Sequence, residues 1–335
     1  MLFGGDSNEH LESIRAIKLF VRLAAARLFE KYTFLFFYLS RKNKWATEQD
    51  SADIANGRIH PSYHDIEYDL NRMLDLKHVD MVYSACMGPT GESGDIMGLA
   101  RLMAKPMIGC DILASALCLD KRLAKIVAQT AGSNIVDYIC VHRKDPPVEV
   151  AQKVGLKIGY PCFLKPTNLG TCGFVFKIDN EQELIQKYTK ACLQNLRSDE
   201  YLIEKYIDNV EVRLFCFEDL QGKLHTNDSY VTKLNLKFFK QGGDLFKQPE
   251  NTLSSELRSN LQQTAKKLFR LFGMKDYARI DFFIEQGTQK VYFNEANTQP
   301  MLVFDGVTHL GECGLRYDEF FEMMIKRNMT ALMKK

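Results

Sequence analysis

The sequence predicts an α/β protein, and three features of the chain lead to this class. A short apolar stretch, Leu2 to Gly5, ends in a Gly-Gly turn and is followed by an amphipathic helical pattern from Glu12 to Tyr32. Strand-length apolar runs then alternate with helical patterns as far as Ala131, which favours a parallel sheet covered on both faces. Near the other end, Tyr277 to Pro300 has the pattern of two strands joined by a polar turn.

The composition excludes several classes of protein. The 335 residues are enough for two or three compact domains, and 46% hydrophobic with 26% charged residues is ordinary for a globular enzyme. A net charge of +2 gives no general attraction to nucleic acid or to an acidic membrane. The start does not resemble a secretory signal, and the most apolar runs are too short or too charged to cross a bilayer. Scattered cysteines without a Cys-x-x-Cys pair favour free thiols in a reducing cytoplasm.

The first part of the chain predicts a small parallel sheet. Its later elements are a strand over Thr33 to Leu39, a strand over Val79 to Ser84, a glycine-rich loop over Gly88 to Gly94, a helix over Asp95 to Met103 and a strand over Pro106 to Gly109. Turns that lead from a strand into a helix N-terminus hold anions or polar groups in many α/β proteins.

The middle of the chain carries one lysine on an apolar strand. The predicted elements here are helices over Asp111 to Cys118 and Leu119 to Ala131, a strand over Tyr138 to Val141, a short helix after Pro146 and strands over Pro161 to Pro166 and Val175 to Ile178. Lys165 precedes a loop of small residues, Thr167 to Phe174. A lysine charge together with backbone N–H groups from such a loop suits a polyphosphate. The alternative is an edge lysine that reaches solvent, followed by an ordinary hairpin.

The last part of the chain contains a long segment with little periodicity, Tyr230 to Pro249. Loops of this length are often lids, and its lysines, Lys233 among them, would reach a phosphate on closure. Around it the sequence predicts helices over Asn180 to Asn195, Ser254 to Phe272 and Tyr317 to Met333, and strands over Tyr201 to Ile207 and Val210 to Phe217. Glu204 and Glu211 lie on these two strands, where a carboxylate meets either ribose hydroxyls, a basic loop or solvent.

The hairpin from Tyr277 to Pro300 predicts a metal site. Strand residues alternate between faces, so Arg279 and Asp281 share one face, and Glu295 and Asn297 share a face of the return strand. Two carboxylates and an amide oxygen are hard ligands suited to Mg²⁺, which takes its remaining ligands from phosphates and water. A guanidinium beside such a metal suits an anion that develops during group transfer. The alternative is an ordinary hairpin with a polar face toward solvent.

Seven short motifs occur in order along nearly the whole chain. They are LFGGDSNEH near the start, GxxGExG at Gly88 to Gly94, LDK at Leu119 to Lys121, KPTNLG at Lys165 to Gly170, LIEKYI at Leu202 to Ile207, ARIDFF at Ala278 to Phe283 and NEANTQP at Asn294 to Pro300. Each motif alone is weak. In this order and spacing they resemble the ATP-grasp superfamily and, within it, the D-alanine–D-alanine ligase family.

The resemblance implies an ATP-dependent ligase that phosphorylates a carboxylate and joins it to an amine through an acylphosphate. It implies ATP with Mg²⁺ or Mn²⁺, amino-acid substrates and no nucleic-acid or membrane partner. The residues that match the nucleotide-binding positions of the family are Lys121, Lys165, Glu204, Lys205, Ile207 and Glu211. The residues that match its metal ligands are Asp281, Glu295 and Asn297. The residues that match its catalytic and substrate-binding positions are Arg279, Glu9, Lys233 and Thr171.

The departures from the family pattern lie on the substrate side. Leu234 follows Lys233 where the family has a tyrosine, and Met87 stands where it has a histidine. Phe174 replaces a glycine of the loop, and Met301 and Gly306-Val307 stand where the family has a glycine and a Ser-Leu pair that grips the second carboxylate. A buried carboxylate without its donors would cost several kcal/mol, so a changed second substrate is one hypothesis.

Three functions are consistent with these residues. The first is a D-alanine–D-alanine ligase that serves peptidoglycan synthesis. The second is an ATP-grasp ligase for another acceptor, either a hydroxy acid or a different amine, and the third is a nucleotide-binding protein without turnover. The fold implied by the resemblance is three α/β subdomains, an N-terminal one over 1–109 with the small parallel sheet, a central one over 110–203 and a metal-binding one over 204–335. The family also implies a homodimer.

Overall fold

The computed structural model describes residues 1–169, 174–194, 198–227, 230–232, 253–300, 303–304 and 307–333. Of the predicted site residues, Thr171 and Lys233 lie outside these ranges, as do Leu234, Met301, Gly306 and most of the predicted lid segment. All other predicted site residues lie within them.

The longer predicted helices are all present, and the structure adds helical segments over Glu48–Ala55, Leu70–His78, Pro89–Glu92 and His309–Glu312 that the sequence analysis did not predict. The helices of the described residues are α1 (His10–Leu28), α2 (Glu48–Ala55), α3 (Pro89–Glu92), α4 (Asp95–Leu102), α5 (Ile112–Leu119), α6 (Lys121–Thr130), α7 (Pro147–Lys157), α8 (Glu181–Leu193), α9 (Ser255–Leu271), α10 (His309–Glu312) and α11 (Tyr317–Met333), with a 3-10 helix over Leu70–His78. Side-chain caps fix several starts, because Asp120 accepts a hydrogen bond from the Leu123 N–H and Ser254 accepts one from the Leu257 N–H. None of the helices in the described ranges is long and apolar enough to span a membrane.

The strands of the described residues form a parallel region, two larger antiparallel sheets and a short antiparallel pair near the end of the chain. These strands are β1 (Leu2–Gly4), β2 (Phe37–Leu39), β3 (Val82–Tyr83), β4 (Met107–Ile108), β5 (Tyr138–His142), β6 (Cys162–Pro166), β7 (Phe176–Ile178), β8 (Glu200–Lys205), β9 (Asn209–Glu218), β10 (Leu224–Thr226), β11 (Tyr230–Thr232), β12 (Tyr277–Glu285), β13 (Val291–Asn297), β14 (Val303–Phe304) and β15 (Val307–Thr308).

The N-terminal region has the predicted small parallel sheet. Strand β1 pairs in parallel with β2, β3 pairs in parallel with β4, and a parallel bridge from Leu2 to Ser84 joins the two pairs. Strand β2 is shorter than predicted, because β1 offers only three residues to pair with it and the chain before Phe37 has no strand partner. Fully buried Leu2 and Phe37 pair across this sheet.

The predicted glycine loop is partly helical. Pro89–Glu92 forms the single turn α3, and Gly88 before it has a φ of +69°, a conformation that favours glycine. Gly91 lies against the backbone of Cys86 so closely that a β-carbon would come within 1.6 Å of the Cys86 carbonyl oxygen. Gly88 is therefore needed for the backbone turn, and Gly91 is needed for the close approach of its own backbone to that of Cys86.

The two larger sheets are antiparallel and carry the predicted site strands, and β14 forms a separate antiparallel pair with β15. In the central sheet the strand order is β5-β8-β6-β7, and in the C-terminal sheet it is β10-β9-β12-β13 with β11 also paired to β9. Buried residues of α9, including Leu268 and Phe269, pack on one face of the C-terminal sheet against Phe282 and Phe293. The opposite face of β12 and β13 is left for polar side chains.

A buried polar cluster ties the N-terminal region to the base of β12. The Asp276 carboxylate accepts hydrogen bonds from the Gly109 N–H (2.8 Å), the Asn328 amide (2.9 Å) and the Arg327 guanidinium (3.0 Å). Asp276 itself has a φ of +60°, which costs energy for a residue other than glycine. These contacts place the first strand residue, Tyr277, relative to the N-terminal sheet.

Candidate active site

Strands β12 and β13 bring four polar side chains together. Arg279 pairs with Asn297 and Asp281 pairs with Glu295 across the hairpin, as the alternation predicted. A bulge follows, because Phe282 pairs with Phe293 and leaves Asn294 as an extra residue on β13. The bulge keeps Phe293 on the core face while Glu295 and Asn297 remain on the polar face.

The Asp281 carboxylate is the centre of this group. It is fully buried, and Arg279 donates to both of its oxygens, from Nε at 2.8 Å and from Nη2 at 2.7 Å. The Asn297 amide donates to Asp281 Oδ2 at 3.4 Å and to Glu295 Oε1 at 3.5 Å. Arg213 of β9 approaches from the other side, with its Nε 3.9 Å from Asp281 Oδ2. Two arginines therefore hold one buried carboxylate.

Lys121 connects this group to the central sheet. Its Nζ donates to the Leu169 carbonyl at 2.7 Å and lies 3.9 Å from Glu295 Oε2. Burial would raise the pKa of the Glu295 carboxyl, but the charges of Lys121 and Arg279 outweigh burial and lower it. Glu295 is therefore held as a carboxylate between a lysine and an arginine.

Lys165 lies on the same face of the central sheet as Glu204. In the register of β6 and β8, Lys165 is opposite Leu202, so Glu204 is its diagonal neighbour. The Lys165 Nζ is 2.6 Å from Glu204 Oε2, and Lys125 Nζ of α6 is 2.9 Å from Glu204 Oε1. Burial would raise the pKa of the Glu204 carboxyl, but the charges of Lys125 and Lys165 lower it to about 2.

The chain between β8 and β9 places the other predicted nucleotide residues. The Lys205 N–H donates to the Asp137 carbonyl at 2.9 Å, and the Ile207 carbonyl accepts a hydrogen bond of 2.9 Å from the Asn209 amide. Glu211 is buried on β9 and accepts hydrogen bonds of 3.2 and 3.3 Å from Arg213. Burial raises the pKa of the Glu211 carboxyl despite the charge of Arg213.

Glu9 faces the site from the N-terminal region. A β-carbon on Gly88 would lie 3.1 Å from its Oε2 atom, so the carboxyl group rests against the glycine turn. Burial and the negative charge of Glu295 raise the pKa of Glu9 to about 7, although the charge of Lys121 opposes them. Burial, followed by the charge of Glu9, raises the pKa of Glu92 on α3 well above its ordinary range. Two carboxyl groups thus face the metal-site residues from this side.

The structure groups Glu9, Lys121, Glu211, Arg279, Asp281, Glu295 and Asn297 around one set of charges and joins Lys165 to Glu204, whereas Lys205 and Ile207 make the local hydrogen bonds given above. It also adds three residues that the sequence reasoning did not single out. Lys125, Arg213 and Glu92 all contact or act on predicted site residues. A signal existed for two of them. Lys125 is one helical turn after Lys121, and Arg213 is two strand residues after Glu211, on the same face.

The donor set fits a magnesium or manganese ion that arrives with a polyphosphate. Asp281, Glu295 and Asn297 offer two carboxylates and an amide, and the Asn297 amide nitrogen lies 3.4 Å from Asp281 Oδ2 and 3.5 Å from Glu295 Oε1. Among the residues that the structure describes, no group of three or more His, Cys, Asp and Glu side chains forms a metal cage. Mg²⁺ commonly binds through one or two carboxylates plus substrate phosphates, whereas closed protein cages are typical of other metals.

One residue of the changed substrate side is described in detail. Met87 is buried, 6% exposed, and immediately precedes Gly88, which contacts Ser7 and Glu9. A buried apolar side chain therefore occupies the position before the glycine turn, where a hydrogen-bonding side chain would be the family pattern.

The central and C-terminal antiparallel sheets, with the small parallel sheet before them, define the class of fold as ATP-grasp. Solved structures support the fold. The chain superposes on the VanG D-Ala:D-Ser ligase from Enterococcus faecalis with a TM-score of 0.78 at 20% identity, covering 98% of each chain. It superposes on the D-alanine–D-alanine ligase from Coxiella burnetii with a TM-score of 0.76 at 22% identity, covering 99% of this chain and 95% of that one.

The family is established by sequence. Residues 1–110 match the family model described as D-ala D-ala ligase N-terminus, and residues 127–326 match the one described as D-ala D-ala ligase C-terminus. The chain is 30% identical over 317 residues to the vancomycin/teicoplanin A-type resistance protein VanA of Enterococcus faecium, covering 90% of this chain and 88% of that protein. It is 28% identical over 319 residues to the D-alanine–D-alanine ligase of Thermoanaerobacter sp. strain X514, covering 90% of this chain and 87% of that protein.

The chain belongs to the D-alanine–D-alanine ligase family. Members of this family are ATP-dependent ligases that form a peptide bond, so the chain is an enzyme of that class.

Proposed function

We propose that the chain joins two D-alanine molecules for peptidoglycan synthesis. The γ-phosphoryl group of ATP passes to a carboxylate oxygen of the first D-alanine, which breaks the β–γ phosphoanhydride bond and gives ADP and D-alanyl phosphate. The amine of the second D-alanine, after losing a proton, attacks the acyl carbon of D-alanyl phosphate. The C–N bond forms, the C–O bond to phosphate breaks, and inorganic phosphate leaves with one former carboxylate oxygen. The observation that carries this proposal is the convergence of Arg279, Asp281, Glu295 and Asn297 with Lys121.

Two lysines, one at the start of α6 and one on β6, are suited to hold the nucleotide. Lys121 and Lys165 supply charge for the phosphates, and the chain from Lys205 to Glu211 would lie along the adenosine. Asp281, Glu295 and Asn297 would hold Mg²⁺ or Mn²⁺, which supplies neutralisation of phosphate charge when bound. Arg279, fixed by Asp281 at 2.8 and 2.7 Å, is positioned for the negative charge that develops as the amine attacks.

The N-terminal side is suited to an amino-acid ammonium group. Glu9, ionised, would pair with the ammonium of the first D-alanine, and the nearby Glu92 and Glu295 make the region favourable for a cation. Lys233 and Thr171, outside the described residues, are proposed to reach the γ-phosphate and the substrate from the lid and from the small-residue loop. The proposed subdomain limits are 1–109, 110–203 and 204–335.

A product assay tests this function. The purified chain is supplied with Mg-ATP and each member of a panel of D- and L-amino acids and hydroxy acids, ADP release is followed by a coupled assay, and products are identified by mass. We expect D-alanyl-D-alanine as the preferred product. No ADP release with D-alanine, alone or with any acceptor, would contradict the proposal.

A second candidate differs only in the acceptor. The buried Met87 beside the glycine turn, with Leu234, Met301 and Gly306-Val307 in the sequence, favours an acceptor that lacks the usual carboxylate contacts. The same panel separates the two, because this candidate requires D-alanine to be activated but joined better to a hydroxy acid or another amine. Leu234→Tyr should then raise dipeptide formation relative to the other product.

The setting of the enzyme follows from the same proposal. ATP and the free thiols of the described cysteines suit a reducing cytoplasm. We propose a homodimer, as in the family, which sedimentation or light scattering of the purified chain would test.

A further inference from the structure

Lys125 has no assigned role, yet it is the most deeply buried charge of the nucleotide side. Its side chain is 0% exposed, against 4% for Glu204 and 8% for Lys165. The three form a line in which the central carboxylate meets one lysine at each oxygen, at 2.9 Å and 2.6 Å. Lys125 lies one helical turn beyond Lys121, but it points to Glu204 and not to Glu295.

The charges of Lys125, Glu204 and Lys165 do not cancel. Two lysines and one carboxylate leave a net charge of +1 in a dry region. With Lys125 absent, Glu204 and Lys165 would form a neutral pair, and Lys165 would have to give up that pairing before it could act on a phosphate. A buried carboxylate whose partner is withdrawn is costly. With Lys125 present, Glu204 keeps a counter-ion when Lys165 turns toward an anion.

We propose that Lys125 is a positioning residue, which neutralises Glu204 so that the charge of Lys165 remains available to the phosphates of the nucleotide. This inference rests on the proposed ATP binding, but it concerns phosphate recognition and does not depend on the identity of the acceptor. Lys125 acts through Glu204 and Lys165 and need not touch the nucleotide itself.

If Lys125 has this role, removing its charge should weaken the binding of ligands that carry phosphate and leave the binding of the nucleoside unchanged. Adenosine and ADP are titrated by calorimetry into the wild-type chain and into Lys125→Met, in the presence of Mg²⁺. We expect Lys125→Met to weaken ADP by about tenfold or more, as for loss of a charge-assisted contact, and to change adenosine by less than about twofold. A purely structural role would weaken both ligands alike. Lys153→Met, which removes an exposed lysine of α7, is the matched control and should bind as the wild type does.

A double variant tests the charge balance directly and also avoids a buried unpaired carboxylate. Lys125→Met combined with Glu204→Gln again leaves Lys165 as a net +1 charge, so ADP affinity should recover to within about threefold of that of Glu204→Gln alone. Failure of the double variant to recover, or an equal loss of adenosine and ADP in Lys125→Met, would overturn the proposal. D-alanyl-D-alanine formation together with wild-type ADP affinity in Lys125→Met would refute this role alone and leave the proposed ligase function intact.

Discussion

The raised pKa of Glu9 makes a quantitative prediction about pH. The Glu9 side chain is half-buried and faces the charge of Glu295, and its pKa lies at about 7. Below that pH the group is neutral and cannot pair with an ammonium, so binding of the first D-alanine should be lost as the pH falls through 7. At pH 6 about one tenth of the groups are ionised, against about nine tenths at pH 8. The rate at subsaturating D-alanine should therefore be roughly tenfold lower at pH 6 than at pH 8.

The assay is ADP release at saturating Mg-ATP and low D-alanine, with the coupling enzymes in excess at every pH. Glu9→Gln should lower the rate and remove the inflection near pH 7, because no carboxyl then titrates at that position. Glu149→Gln is the matched control. Glu149 is exposed in the first turn of α7 and does not contribute to the raised pKa of Glu9, so its loss should leave the wild-type profile. A wild-type rate that is flat from about pH 6 to about pH 8 would refute the placement of Glu9 in a desolvated acidic site.

Three further predictions concern single substitutions. Asp281→Asn should lower turnover by about 100-fold or more with an unchanged circular dichroism spectrum, and a smaller loss would contradict its proposed metal role. The Glu204 carboxyl has a pKa of about 2 in the folded chain against an ordinary 4.5. The ionised carboxylate therefore stabilises the fold fully above pH 4.5, and this stabilisation is lost as the pH falls to about 2. Urea unfolding of the wild type should show a loss on the order of 3 kcal/mol over that range, and Glu204→Gln should lack it. Gly91→Ala should prevent folding or lower the free energy of unfolding by more than about 3 kcal/mol in thermal melts, because its β-carbon would lie 1.6 Å from the Cys86 carbonyl oxygen. Gly98→Ala is the control, since a β-carbon there meets no other atom within 4 Å, and it should be neutral or stabilising.

The hairpin at the centre of the site could be predicted because its information is local. Period-two alternation places Arg279 with Asp281 and Glu295 with Asn297, and the register of β12 and β13 is the one that brings the pairs together. The bulge at Asn294 has no sequence signal, because it depends on how Phe293 packs in the core against Phe282. The predicted placement of Glu295 and Asn297 on one face is unaffected, because both residues follow the bulge.

The contacts of Glu204 could not be predicted from the sequence. Its partners come from a helix and from a neighbouring strand, so the contact exists only once β6 and β8 pair and α6 covers them. The same is true of Glu9, whose pKa depends on burial and on Glu295 at the far end of the chain. The one-turn helix of Pro89–Glu92 was expected as a loop, because glycine content signals turning and gives no information on whether the turn closes a helical hydrogen bond.

The proposed reaction begins with phosphorylation of the D-alanine carboxylate. It is tested most directly with D-alanine labelled with ¹⁸O in both carboxylate oxygens, Mg-ATP and mass analysis of the inorganic phosphate released. An acylphosphate predicts one labelled oxygen in the phosphate for each D-alanyl-D-alanine formed, because the C–O bond breaks when the amine attacks. Dipeptide formation with unlabelled phosphate would contradict the account, since the phosphoryl group would then never have been bonded to the carboxylate.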